Sequence, residues 1–501
     1  MNGSRPQAET KSFYIPKSMV WEAYQRVKTN QGAPGVDGVT IEQFEQNLSR
    51  NLFKLWNRMS SGSYFPPAVK AVEIPKAGGK GIRVLGVPSV SDRIAQTVAA
   101  MYLERRVEPV FHPDSYGYRP RRSALDAVEQ CRRRCWRSDW VVDLDIRAFF
   151  DSVDHELMLK AVERHIDEDG KWVLLYVKRW LVAPLAKLDG SVQQRDRGTP
   201  QGSAISPVLA NLYLHYAFDV WLTRNFPQVT FERYCDDAVI HCKSERQARR
   251  VRDALSERLA QVSLELHPDK TRVVYCKDAD RRDSYEHTSF TFLGYTFRPR
   301  LAKNRYGKHF VSFLPAVSKE AIKAMGKEIR SWHIARRSDK SLGDLARMFN
   351  SVVQGWVNYY GRFYKSKLYP FSGASMSIWC AGLAGSTSDS TAERKGHGNC
   401  WRAQPAGIPI CSLTGGSASS LMAGRWEPCE PRGSRTVLRA AAGAIPAADS
   451  PLAGIHRTEG RSRRDQGQDR DVPPRDPRTG TQHDQDLDYA RPQPAGAVPR
   501  L

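Results

Sequence analysis

The sequence predicts an α+β fold in which an antiparallel sheet is backed by helices, and three observations carry that expectation. Residues 69–87 read as two β-rich runs around a glycine-rich turn. The run Trp140-Val141-Val142-Asp143-Leu144-Asp145 is apolar with carboxylates at period two, as in a buried strand whose polar face opens on a site. Residues 231–242 read as strand, tight turn, strand, and the segments between these runs carry apolar residues at helical spacing.

In chain order, residues 17–30 have a helical pattern, ended by the glycine-rich loop Gly32-Ala33-Pro34-Gly35-Val36-Asp37-Gly38. A second helix is expected over residues 41–59. The entry Tyr64-Phe65-Pro66-Pro67 leads to a strand over 69–74, a turn at Ala77-Gly78-Gly79-Lys80-Gly81 and a strand over 82–87. This hairpin carries Lys76, Lys80 and Arg83. Helices over 91–107 and 123–134 precede the 140–145 strand, and helices over 155–165 and 170–181 follow it. The 231–242 hairpin turns at Cys235-Asp236-Asp237 and is followed by a charged helix over 244–262. Residues 289–297 return to β, and 318–332 and 342–359 are helical again.

A chain of 501 residues with 41% apolar content can bury more than one core. Its net charge of +22 points to a polyanionic partner, nucleic acid or an anionic membrane surface. No run of about twenty apolar residues occurs, so membrane insertion is not expected. The first residues lack the apolar core of a signal peptide, so residence in the cytoplasm is expected. Nine cysteines include no CxxC pair, and Cys131 with Cys135 is one helical turn, a spacing poor for a metal site. Free thiols are the simplest reading.

The texture breaks at Phe371. The last 130 residues hold one lysine, one asparagine, one tyrosine and no phenylalanine, and Gly, Pro, Ala, Ser and Arg dominate. Such a segment buries little apolar surface, so residues 372–501 are expected to be disordered. They carry 16 Lys and Arg against 13 Asp and Glu, which leaves +19 of the +22 for the first 371 residues. A shifted reading frame is favoured over a natural low-complexity linker, because the break is abrupt and interrupts a helical region.

Consecutive aspartates at a turn repel unless a cation sits between them. Asp236 and Asp237, with Asp145 at another strand end, form the carboxylate set that magnesium prefers, and two such ions suffice for joining nucleotides. The surrounding motifs sharpen this. Asp145-Ile146-Arg147-Ala148-Phe149-Phe150-Asp151 and Arg233-Tyr234-Cys235-Asp236-Asp237 resemble the two catalytic motifs of reverse transcriptases. Lys76 and Arg83, with Gly86-Val87-Pro88-Ser89-Val90-Ser91-Asp92-Arg93, look like the fingers motif, and the run from His112 to Pro120 looks like the one after it. Gly198-Thr199-Pro200-Gln201-Gly202-Ser203, then Leu264 with His267-Pro268-Asp269-Lys270-Thr271, then Phe292-Leu293-Gly294-Tyr295 complete the family's order. More narrowly, the chain is similar to bacterial group II intron-encoded reverse transcriptases and maturases. That match rests on the 32–38 loop, the wording of the 198–206 motif, and Val353-Gln354-Gly355-Trp356-Val357-Asn358-Tyr359-Tyr360, which looks like the start of the maturase region. Cys235 stands where the family has alanine, one small residue for another, so activity is expected to survive.

By this resemblance Asp145, Asp236 and Asp237 are the catalytic residues and bind two Mg2+ ions, with Asp143 a supporting carboxylate on the same strand face. Lys76 and Arg83 would clamp the triphosphate of the incoming deoxynucleoside triphosphate. Phe150 rather than Phe149 would lie under the sugar and exclude a 2′-hydroxyl, and Gln201 would lie against the template base or the nucleotide. His155, His215 and His241 are taken as core or surface residues, since metal-assisted phosphoryl transfer needs no histidine base. Arg121, Arg122, Arg132, Arg133, Arg134 and Arg137, interleaved with Trp136 and Trp140, are taken as nucleic-acid contacts.

The implied architecture is a right-hand polymerase. Residues 1–110 would form an N-terminal extension and fingers, 111–300 an α/β palm of antiparallel sheet backed by helices, and 301–371 a partial helical thumb and the truncated start of the maturase region. Implied partners are group II intron RNA, an RNA template with a DNA primer, and target DNA. A second copy of the chain is a further candidate partner, and nucleoid association would accompany action on DNA. Two rivals remain: a reverse transcriptase of a retron or diversity-generating element, and an RNA-binding splicing factor that keeps the fold without using the site. The 32–38 loop and the 353–360 stretch speak against the first, and the intact aspartates against the second.

Overall fold

Among the described residues, seven helices begin where a side-chain oxygen accepts from a free N–H of the first turn, at Thr40, Ser89, Ser123, Asp154, Ser244, Ser318 and Ser341. In the computed structural model, which describes residues 11–75, 81–337 and 339–368, α1 spans Lys17–Asn30. The single helix expected over 41–59 is two, α2 (Ile41–Glu45) and α3 (Leu48–Ser60). Thr40 and Gln43 form a capping box on the first, and Asn47 leaves the helical region at φ −128°. Next come β1 (Val69–Pro75), β2 (Ile82–Val87), α4 (Val90–Val107), α5 (Ala124–Cys135) and β3 (Trp140–Asp145). They are followed by α6 (Phe149–Ser152), α7 (His155–Glu163), α8 (Lys171–Val182), β4 (Leu185–Ala186) and β5 (Val192–Gln193). Helix α9 (Ser206–Leu214) runs through a π-helical turn at His215–Asp219 into α10 (Val220–Asn225). The chain continues with β6 (Thr230–Tyr234), β7 (Asp237–Cys242), α11 (Glu245–Ala260) and β8 (Arg272–Tyr275). It closes with β9 (Phe290–Phe292), β10 (Tyr295–Lys303), β11 (His309–Val317), α12 (Lys319–Ser331) and α13 (Leu342–Tyr360). The low-complexity tail and Lys76 lie outside the described residues.

Among the described residues the strands form sheets ordered β2-β1-β4-β5, β6-β7-β3-β8 and β11-β10-β9. The middle one is antiparallel throughout, so its side chains alternate between two faces. Trp140, Val142, Leu144, Phe231, Ala238 and Ile240 point to one face and join a core shared with α1, α4, α8, α9 and α11. Val141, Val239 and Val274 point to the other and pack beneath α5 and against β9 to β11, α12 and α13. Trp332 stacks on Phe349 and Trp356 in this second core, with ring centroids 4.4 Å and 5.7 Å apart. Burying side chains of this size contributes about 2 to 3 kcal/mol each. No helix among the described residues is long and apolar enough to cross a membrane.

The first core is tied together at a buried carboxylate. Asp92 accepts hydrogen bonds from Tyr64 Oη (2.8 Å), Trp180 Nε1 (2.7 Å) and Gln96 Nε2 (2.9 Å), linking the approach to β1, α8 and α4. Gln96 Oε1 in turn accepts from Ser203 Oγ (2.6 Å) and the Ala204 backbone N–H (2.9 Å), so α4 also fixes the loop before α9. Burial pushes the Asp92 carboxyl up to about 6, opposed by these three donors. Its folded value exceeds its unfolded one, so the native state holds an extra proton between about pH 4 and pH 6, and stability falls as pH rises through that window. Chemical denaturation from pH 4 to 7 should show wild type losing about 2 to 3 kcal/mol relative to Asp92→Asn. A flat difference would remove the assigned proton uptake.

Candidate active site

The two strands that carry the acidic residues are neighbours, and their register decides what meets. In the β3–β7 ladder Asp145 is paired with Asp237 and Asp143 with Val239. Directly opposed residues in an antiparallel pair have Cα atoms about 5 Å apart. Asp236 sits in the two-residue turn between Tyr234 and Asp237, which are themselves paired across β6 and β7. Strand end and hairpin tip therefore converge, and Asp143 shares their face.

Crowding of like charges dominates the electrostatics. Burial, then the charges of Asp236, Asp145 and Asp143, raises Asp237 well above the ordinary carboxylate range, with Lys270 opposing. Asp236 is raised too, chiefly by burial and further by Asp145, while the Arg83 charge draws it down. Asp143 is pushed up to about 7 by burial and by Asp145, against Arg272. An oxygen-only set under this much mutual repulsion suits a hard divalent cation, which offsets the charge. The aspartate oxygens are nevertheless spread more widely than the ligand atoms of Cys131, Glu232 and His241, which lie within 4.8 Å of one another. Lys270, in the turn before β8, reaches the cluster. Its Nζ donates to Asp145 Oδ2 at 2.9 Å and partly neutralises the cluster.

Holding Asp236 at the tip requires a strained turn, and the interior supplies the restraint. Cys235 adopts the left-handed conformation at φ 59°, a geometry that costs a non-glycine residue about 1 kcal/mol or more. Beneath it Arg233, fully buried, donates to Asp219 through Nε (2.7 Å) and Nη2 (2.6 Å), to Asn211 Oδ1 (3.1 Å) and to the Cys235 carbonyl (3.0 Å). The π-helical turn after α9 is what delivers Asp219 to this position. From the other side, a Cβ on Gly117 would stand 2.6 Å from the Cys235 nitrogen, so only glycine lets these backbones approach. Asp219 and Asn211 lie in apolar helical stretches where nothing in the local pattern signals a role.

Comparison with known proteins agrees with this geometry. The family described as "Reverse transcriptase (RNA-dependent DNA polymerase)" matches residues 74–297, and "Group II intron, maturase-specific domain" matches residues 322–373. Protein YkfC of Escherichia coli (strain K12) is 31% identical over 335 residues, covering 59% of this chain and 84% of that protein. The chain belongs to the group II intron-encoded reverse transcriptases. The group II intron-encoded protein LtrA of Lactococcus lactis subsp. cremoris is 28% identical over 264 residues, 52% of this chain and 43% of that one. The same figures hold for LtrA of strain MG1363, so the chain spans less than half the length of that relative.

Other expected site residues of this reverse transcriptase fall as follows. Arg83 lies on β2 opposite Ile74, near enough for its charge to be felt at Asp236. Phe149 is core, packed edge-on to Phe150 at 5.3 Å, while Phe150 is half-buried. The loop bearing Gln201 rests on both neighbours: Gly86 N–H donates to the Gln201 carbonyl (2.7 Å) and Thr199 N–H to the Phe150 carbonyl (2.7 Å). His155, expected to be core or surface, holds that loop through Nε2 and the Gly198 carbonyl at 2.8 Å. His215 is buried and pushed down to about 4 by that burial, so it is neutral near pH 7.

The basic run is not one nucleic-acid surface, and this corrects the reading of its spacing. Arg134 is turned inward, paired with Glu232 (2.6 Å) and Asp114 (2.8 Å), and Arg132 and Arg133 both engage Glu129. Trp140 belongs to the core with Tyr275, and the exposed Tyr285 ring lies edge-on to it. Trp136, Arg121, Arg122, Arg133 and Arg137 remain exposed. Removing one partner of the buried Arg233–Asp219 pair strands a charge, so Asp219→Ala should lower unfolding free energy by about 3 to 5 kcal/mol in urea titrations. A loss below about 1 kcal/mol would mean that the pair does not restrain the turn.

Proposed function

We propose that this reverse transcriptase copies intron RNA into DNA by two-metal nucleotidyl transfer at Asp145, Asp236 and Asp237, serving retrohoming of a group II intron. The observation that carries the reading is the pairing of Asp145 with Asp237 across β3 and β7, with Asp236 beside them at the hairpin tip. Reverse transcriptases use divalent metal ions, and the three carboxylates are the residues that would hold two Mg2+. Magnesium, when bound there, activates the primer 3′-hydroxyl and stabilises charge on the phosphoryl group. Lys270 would exchange its contact with Asp145 for the charges of the bound complex.

The chain's own groups have distinct tasks in this reading. Arg83, with Lys76, meets the triphosphate of the incoming deoxynucleotide. Phe150 presents a half-buried ring beside the 198–203 loop, where it would crowd a 2′-hydroxyl, and Gln201 on that loop would lie against the template base or the nucleotide. Residues 1–110 then serve as N-terminal extension and fingers, 111–300 as palm, and 301–371 as thumb and the start of the maturase region. Intron RNA, the RNA template with its DNA primer, and target DNA are the proposed nucleic-acid partners. The maturase-domain match over residues 322–373 supports an added role in holding intron RNA during splicing.

Primer extension on an RNA template with magnesium tests the reading. Asp236→Ala should lower incorporation by about 10³-fold or more relative to wild type, the scale expected when a charge-stabilising group leaves a polymerase site. Equal incorporation by both chains would refute it. Phe150→Val should raise ribonucleotide incorporation relative to deoxynucleotide by about 10- to 100-fold, which single-turnover kinetics with each nucleotide can measure. Unchanged discrimination would take the sugar-sensing role away from Phe150.

A further inference from the structure

The end of the central sheet farthest from the catalytic hairpin tip carries a concavity of its own. Asp236 and Asp237 stand where β6 turns into β7, whereas Thr230 opens β6, and His241 and Lys243 lie at the far end of β7 and just beyond it. His241 is four residues along the strand from Asp237, a separation of about 13 Å. There the last turn of α5 and the turn after it meet the strand ends around a recess of about 470 Å³. Sites that take small organic molecules span about 300 to 1,000 Å³.

The charges lining this recess are all of one sign. Arg133, Arg134, Arg137, His241 and Lys243 face it, and no carboxylate does. The acids that answer some of these charges stand outside the lining: Glu129 takes Arg133 as well as Arg132, while Asp114 and Glu232 take Arg134. Burial works against a charge on His241, but Glu232, 2.6 Å from its Nε2, raises the ring to about 10, so it is an imidazolium near pH 7. Arg137 and Lys243 are exposed and have no acidic partner among the described residues. Lys243 Nζ donates to the Arg137 carbonyl, which holds these two cationic residues together. Thr230 and Gln228 add neutral polar groups, and Gln130, with its oxygen turned to Arg134 Nε at 3.2 Å, keeps its NH2 as a donor. A solvated basic face accounts for cations on a convex surface, where water and salt screen each one. It gives no reason for cations to converge on a concave one, where their mutual repulsion grows and an anion relieves it.

We propose that this recess is a phosphate-binding site separate from the polymerase centre, filled by a nucleotide of single-stranded RNA. Guanidinium and ammonium groups beside amide and hydroxyl donors are the set that grips phosphate oxygens. No Phe, Tyr or Trp lines the recess, so a base finds no stacking platform and the site reads phosphate rather than sequence. Arg137, Gln228, Thr230 and Lys243 are all exposed at its rim, so the phosphates on either side of the bound one stay in solvent and a strand can pass across. A free mononucleotide offers the same phosphate chemistry without the strand. The basic run around α5 thus contributes Arg133 and Arg137 to one site, completed by Lys243 from a distant part of the chain. The site does not rest on catalysis at the aspartates.

Anisotropy of a fluorescent oligouridylate bound to the full chain, without magnesium, tests the assignment. Arg137→Gln with Lys243→Gln should weaken binding about 10-fold and flatten its log–log salt dependence by about 0.7, the slope carried by one phosphate of a single strand. Thr230→Trp, which fills the recess without removing a charge, should weaken binding as well. Arg246→Gln with Arg250→Gln removes the same charge from α11 and should leave the slope as in wild type. All five positions are exposed, so the fold tolerates these changes. Calorimetric titration with adenosine monophosphate separates the two sources of phosphate. Heat that disappears in the Arg137→Gln, Lys243→Gln chain while RNA binding stays constant would assign the same recess to a free nucleotide. RNA and mononucleotide binding both unchanged in that chain would overturn the phosphate site. So would an RNA loss that the α11 variant reproduces or that Thr230→Trp does not share.

Discussion

The register between β3 and β7 is the constraint on which the rest of the molecule depends. Because side chains alternate along a strand, a slip of one residue would send Asp143 and Asp145 into the apolar core and bring Val142 and Leu144 to the carboxylate face. Burial enforces the observed register from both sides. Leu144, Ala238 and Ile240 are fully enclosed on one face, and Val141 and Val239 on the other. The acidic cluster is thus a by-product of where two sets of apolar residues must go. Its mutual repulsion is tolerated because the sheet is fixed by contacts that the aspartates do not make.

A second layer of order comes from hydrogen bonds that connect the cluster's surroundings to the interior. Asp92 organises α4, Gln96 extends α4 to the loop before α9, and that loop is held in turn by Gly86, Phe150 and His155. Gly198 takes φ 79° within this chain of contacts, and a Cβ there would come 2.8 Å from the Phe150 carbonyl. On the opposite flank Arg233, Asp219 and Asn211 fix the hairpin tip. The acidic side chains themselves spend little on structure, since buried neighbours carry the positional load.

Much of this was legible in the residues. The 140–145 strand, the 82–87 strand and the helix over 17–30 have the bounds that their periodicity indicated, because each has a clear burial pattern ended by turn residues. Less was visible where tertiary context overrides local signals. The break at Asn47 interrupts an otherwise continuous helical pattern. The strand His309–Val317 was not expected, because Pro315 and adjacent apolar residues blur its alternation, yet it pairs along its whole length with β10. Charge runs were the least informative: Arg134 and Arg137 look equivalent in sequence, but only Arg134 has Glu232 and Asp114 within reach. Lys270 stood in a quoted motif, but its contact with Asp145 depends on a fold that joins residues 125 apart.

The two-sided packing of the central sheet also bears on the order in which the protein can be made. The first face finds its partners among helices that leave the ribosome before or soon after the strands do. The second waits for α12 and α13, whose Trp332, Trp356 and Tyr360 complete its cover. Until synthesis has passed Tyr360, a nascent chain therefore displays unshielded valines and aromatic rings beside its acidic cluster. Partly made chains of this kind are prone to aggregate, and a chaperone or an early nucleic-acid ligand would act in that interval.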